Sequence, residues 1–129
     1  MPAQNAALRP LALSLRIGAV YDLGIALAFG AAPGAIGSLL HLPRPGERFY
    51  LWLVAILLAV LAGFYLLVAR DPARHRELVW MTVLGRAAGA AVLALAALGR
   101  SDLAGLWLPA AGDLAFAVVH GVLARPLRA

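Results

Sequence analysis

The 129 residues are 64% hydrophobic and 13% charged, with a mean hydropathy of +0.89, whereas about a quarter of the residues in an ordinary soluble domain are charged. A membrane chain remains, and at about 20 apolar residues per crossing four spans fill this length and leave no separate soluble domain. The net charge of +5 comes from 11 basic residues, all Arg, against 6 acidic ones. In a membrane chain such an excess records topology rather than nucleic-acid binding, and zero Cys excludes disulfides, thiolate catalysis, iron–sulfur clusters and Cys-based zinc sites.

The first span is expected over 11–30. Arg9 and the small residues Ala31 to Ala35 mimic a cleaved leader, but Arg16 and Asp22 interrupt its core, so a retained helix is expected. Pro33, Gly34 and Gly37 mark where that helix falters. Ile36, Leu39, Leu40 and Leu42 then form a short interfacial stretch before Pro43-Arg44-Pro45-Gly46 turns the chain. The second span, 49–69, is uncharged, with Phe49, Tyr50 and Trp52 at one end and Phe64 and Tyr65 towards the other, as rings at head-group depth require. Asp71 is expected to cap the third helix, 73–98, with Pro72 at its first position. Ser101 or Asp102 caps the fourth, 103–124, in the same way, and Pro109 is expected to kink it. Residues Pro2 to Ala7 read as disordered.

The fold class is therefore all-α membrane, a left-handed four-transmembrane-helix bundle. Arg9, Arg70, Arg74, Arg76, Arg125 and Arg128 fall on one side, against Arg44, Arg48 and Arg100 on the other. This imbalance predicts both termini in the cytoplasm of a bacterial inner membrane, with Arg16 snorkelling to the same face.

A charged side chain near the bilayer centre costs at least about 2.5–3.5 kcal/mol on insertion scales, so Asp22, Arg86 and Asp113 each need a partner, a cavity or a use. At about 1.5 Å of rise per residue, Asp22 lies about 16 Å and Arg86 about 12 Å from the cytoplasmic side, and Asp113 about 15 Å from the outer side. All three share one depth. Small or polar stripes point the same way: Ser14, Gly18 and Asp22; Thr82 and Arg86; Asp113, Ala117, His120 and Ala124. Gly85 and Gly89 flank Arg86 in a spacing that permits close helix approach. Two readings stand. The three charges fix which helix faces which, or their residual formal charge of −1 is completed by a proton or cation and marks a site.

Around that cluster, Tyr21 and Tyr65 can donate to a ligand or simply pack, Met81 and Phe116 read as packing, and His120 reads as a hydrogen-bonded residue near the cytoplasmic interface. His41 and His75 occupy loops on opposite sides, so the histidines build no single metal or bis-His haem site in one chain. Phosphate-loop, nucleophile-elbow and H-E-x-x-H motifs are absent, and Ser14, Ser38, Ser101 and Thr82 lack a His at their depth, so catalysis has no positive support.

The charged first helix, the second helix ending in Gly63 to Pro72, Gly85-Arg86 in the third and Gly112-Asp113-Leu114 in the fourth together resemble the DoxX-like small bacterial inner-membrane proteins. That resemblance implies a lipophilic partner, since some DoxX-like proteins are associated with quinone-linked oxidation of sulfur compounds. The small multidrug transporters offer a second likeness, with Asp22 in the place of their first-helix acid, although they do not characteristically pair it with an Arg. The expected function is binding of a small lipophilic or amphipathic ligand, or of a partner subunit, at Asp22, Arg86 and Asp113, with Tyr21, Thr82 and His120 alongside. Proton-coupled export of cationic compounds and a quinone-associated accessory role are the alternatives. The bilayer is the surrounding partner, nucleic acid is not expected, and Gly- and Ala-rich faces are expected to support a homodimer.

Overall fold

The computed structural model describes residues 7–43 and 47–128. The expected turn at Arg44, Pro45 and Gly46, and disorder up to Ala6, lie outside them. Helices α1 (Arg9–Ala31), α2 (Pro33–Leu39), α3 (Arg48–Val68), α4 (Arg76–Gly99) and α5 (Trp107–Leu123) follow in order, with 3₁₀ segments at Ser101–Leu106 and Arg125–Arg128. Four stretches are long and apolar enough to cross a membrane: α1, α3, α4 and the combined segment Ser101–Leu123. No strand is present among the described residues. The chain is an all-helical, multi-pass membrane bundle.

Its surface is built for lipid. Between 17% and 39% of each span's apolar window is buried, and the outward residues include Leu27, Leu57, Leu95 and Leu98, all more than half exposed. Exposure of such side chains along whole helices suits a hydrocarbon surround, not water. On α1, Leu11, Ser14, Leu15, Gly18, Ala19, Asp22 and Ala26 are buried, one face at helical spacing.

Around the bundle the spans run in the order α3, α1, α5, α4. Helix α1 packs along α3, α4 along α5, and α1 also meets α5, whereas the consecutive helices α3 and α4 barely touch. Their junction is closed only beside the 69–75 loop. There Leu11, Leu15, Val68, Val79, Ala124 and Leu127 form an apolar plug at the end that carries both described termini. Above the plug, the seam between α3 and α4 stays open.

Several local expectations are corrected. Asp71 does not cap α4: its Oδ1 accepts from the Arg74 N–H at 3.1 Å, and α4 begins only at Arg76. The carboxylate stabilises the tight turn before the helix because Asp71 lies four residues ahead of the cap position, His75, too early to reach the free N–H groups of the first helical turn. Asp102 does not cap the fourth span either, because Arg100 holds it through Nε to Oδ1 at 3.1 Å and Nη2 to Oδ2 at 2.5 Å. Pro109 makes no kink inside a helix. The span starts as 3₁₀ over Ser101–Leu106 and becomes α-helical at Trp107, so Pro109 lies in the first α-turn, where its missing N–H costs little.

Helix α2 ends at Leu39; two residues on, His41 has a left-handed φ of 50°, and the Leu42 N–H returns to the Gly37 carbonyl at 2.8 Å. The Leu40 carbonyl then lies so close to Gly105 that a Cβ at that position would overlap it. Gly105 is therefore the contact that seats the α2 segment on the start of the fourth span.

Candidate functional site

Asp22, Arg86 and Asp113 meet. Arg86 rises from α4 on the face that also buries Thr82 and Ala90. Its Nη2 donates to Asp22 Oδ2 at 2.7 Å and to the Gly18 carbonyl at 3.4 Å, and its Nη1 donates to Asp113 Oδ1 at 2.5 Å. A planar guanidinium with donors on both flanks reaches two carboxylates from different helices at once. Asp22 is 0% and Arg86 4% exposed, while Asp113 keeps 18% exposure. One carboxylate is sealed inside; the other sits at an edge.

Rings surround the cation. The Arg86 guanidinium carbon lies 5.6 Å from the Tyr21 ring centre, 5.1 Å from Tyr65 and 5.0 Å from Phe116, and each such contact contributes about 0.5–2 kcal/mol. Arg86 thus touches α1 through Asp22, Gly18 and Tyr21, α3 through Tyr65, and α5 through Asp113 and Phe116. One side chain bridges all four spans. Glycines make the room. At Gly89 a Cβ would stand 2.8 Å from Asp113 Oδ2, and at Gly18 it would stand 3.4 Å from the Tyr65 ring and 3.6 Å from Arg86 Nη2. The Tyr21 hydroxyl lies 3.1 Å from where a Gly112 Cβ would be.

Beneath the rings, His120 is fully buried, packed edge-on to Tyr65 at 6.1 Å and tilted against Phe116 at 5.6 Å. It lies beside the Ser14 backbone, without a well-formed hydrogen bond at either ring nitrogen. It is not the interfacial residue expected from the sequence, because α5 turns it inward between α1 and α3 rather than along the head groups. Thr82 is buried and spends its hydroxyl on the Val79 carbonyl at 2.7 Å, the usual helical back-bond of a buried Thr.

The open seam between α3 and α4 is a groove of about 460 Å³, within the range of about 300–1,000 Å³ for small-molecule sites. Leu58, Leu61 and Phe64 wall it on α3 and Leu78, Met81 and Gly85 on α4; Tyr65, Thr82, Arg86, Gly89 and Asp113 reach its inner side. Its mouth faces the lipid flank, since Phe64 is 51% and Met81 64% exposed. Of the residues singled out from sequence, Thr82, Arg86 and Asp113 border this groove, whereas Asp22, Tyr21 and His120 stand behind Arg86. Gly85 serves no helix contact, having open space where a Cβ would be, and Gly89 accommodates a carboxylate rather than a neighbouring helix. The part played by Phe116 was missed, as was the groove. A signal existed for the first, since Phe116 lies three residues from Asp113 on one helix face.

The cluster is not electrically balanced. One guanidinium and two carboxylates sum to −1, and uncompensated buried charge costs several kcal/mol. Asp22 Oδ1 and Arg86 Nε are also buried without a partner, each deficit costing about 1–3 kcal/mol or more. The charge is the larger debt.

No curated protein and no solved structure matches the chain. Residues 6–128 match the model of DUF6632, a family of unknown function, and the chain belongs to that family.

Proposed function

We propose that this protein binds a lipophilic or amphipathic molecule that enters sideways from the bilayer between α3 and α4 and brings its polar end to Arg86 and Asp113. One observation carries the reading: a charged bridge, expensive to bury, forms part of the inner wall of a groove that is otherwise apolar and opens on the lipid flank. A bridge that only locked helices together would be as effective walled in on every side, as Asp22 is. Membrane solutes concentrate at such a mouth, and the few polar groups at its end set orientation.

Export of cations through a titrating first-helix acid is supported less well, because Asp22 is sealed and held by Arg86. The quinone-linked reading rests on the DoxX-like layout. The imbalance of Arg9, Arg70, Arg74, Arg76, Arg125 and Arg128 against Arg44, Arg48 and Arg100 in the sequence supports an orientation with both termini in the cytoplasm of a bacterial plasma membrane.

The test is native mass spectrometry and lipid extraction of protein purified in mild detergent, wild type beside Gly85→Leu. Nothing lies within 4 Å of a Cβ at Gly85, and Leu is a better helix former than Gly, so the variant folds while its side chain fills the groove. Wild type is expected to retain a lipophile that the variant has lost. Identical retained molecules in both proteins would overturn the reading.

A further inference from the structure

We infer that the molecule taken by the groove carries a cationic, amine-bearing head that docks on Asp113. This rests on the groove being a ligand site, as argued above, and adds the charge of the occupant. Two carboxylates face one guanidinium, so the bridge lacks one positive charge. The two acids are not equivalent. Asp22 is fully buried behind Arg86, out of reach of the groove. Asp113 spends Oδ1 on Arg86, and its Oδ2 lies against Gly89, at the place where any side chain would cover it. Gly89 and Asp113 both border the groove. The oxygen left over by the ion pair is thus the one turned to the lipid-facing opening, and glycine keeps it uncovered.

The other groups near the bridge do not supply the missing charge to that oxygen. Tyr21 and Tyr65 present neutral rings to Arg86, Thr82 has committed its hydroxyl to its own helix, and His120 lies beneath the rings, beside the Ser14 backbone. A carboxylate-headed lipid would raise the net charge to −2 and meet Asp113 head on. An alcohol would satisfy hydrogen bonds but leave the charge as it was. An ammonium head donates to Oδ2 and brings the sum to zero, while its chain lies between Leu58, Leu61 and Phe64 on one side and Leu78 and Met81 on the other.

The test uses a matched-chain series of dodecylamine, dodecanol and dodecanoate, titrated separately into the detergent-solubilised full chain, with binding read by native mass spectrometry. Wild type is expected to prefer the amine over the carboxylate by about tenfold or more, Asp113→Asn to bring the two towards parity, and Gly85→Leu to weaken all three. Equal binding of the three by wild type, or preference for the carboxylate, overturns the cationic head and leaves groove binding in place. Binding that Gly85→Leu leaves unchanged for all three overturns the groove reading itself. The ranking in wild type decides the matter even if Asp113→Asn fails to fold.

Discussion

At the scale of single residues, Arg86 concentrates the cohesion of the bundle. Arg86→Met leaves the sealed Asp22 carboxylate and the half-buried Asp113 without their cation, and removing one partner of a buried pair costs about 3–5 kcal/mol. Thermal unfolding in detergent is expected to show that loss. The triple variant Asp22→Leu, Arg86→Met, Asp113→Leu replaces the whole ionic group by apolar side chains and is expected to recover much of it, since such replacement is often neutral or better. Arg86→Met as stable as wild type would show that the bridge does not hold the spans. Gly89→Ala pushes a methyl to within 2.8 Å of Asp113 Oδ2 and is expected to cost about 1–3 kcal/mol, the range for overpacking; equal melting points would refute that contact. The three charges were legible before any coordinates because insertion cost singles them out and helical rise puts them at one depth. Phe116 and Tyr65 were not legible as ring partners of Arg86, since aromatic residues are ordinary filling in a membrane helix and only the crossing of helices decides what they face.

At the scale of elements, the spans were readable because an apolar run of membrane length admits one structure, a helix satisfying its own backbone. Their ends were less so. Asp71 and Asp102 both looked like caps, yet each took a competing partner, the Arg74 N–H and the Arg100 guanidinium. Local sequence does not rank such rivals. The Arg100–Asp102 pair is exposed at both members, and its removal is expected to leave the melting temperature in detergent unchanged, since solvent screens such a pair. The seat of the α2 segment depends on Gly105 more than on any charge. Gly105→Ala drives a methyl into the Leu40 carbonyl, so α2 is expected to lift from the fourth span. Limited proteolysis near residue 40 checks this: faster cleavage in Gly105→Ala than in wild type is expected, and unchanged cleavage would refute the contact.

At the scale of the whole molecule, the asymmetry between a plugged end and an open seam governs access. With no native Cys, Met81→Cys places one thiol at the mouth of the groove. A membrane-soluble maleimide is expected to label it and a bound lipophile to protect it, whereas Leu98→Cys, equally lipid-exposed but away from the groove, stays unprotected. Equal protection at both sites would deny the seam its role. The pairing of spans around the bundle, and hence the gap, lay beyond sequence reading: connected helices usually pack as neighbours, and nothing local announces that α3 and α4 stay apart. Arg86 also follows Asp22 by 64 residues and precedes Asp113 by 27. At ribosomal speeds of about 5–20 residues per second, some 3–13 seconds separate the synthesis of Asp22 from that of its counter-ion. During biogenesis the first helix therefore waits with an unmatched acid until the third crossing brings Arg86, and the bundle locks only when the fourth brings Asp113 and the face on which the third packs.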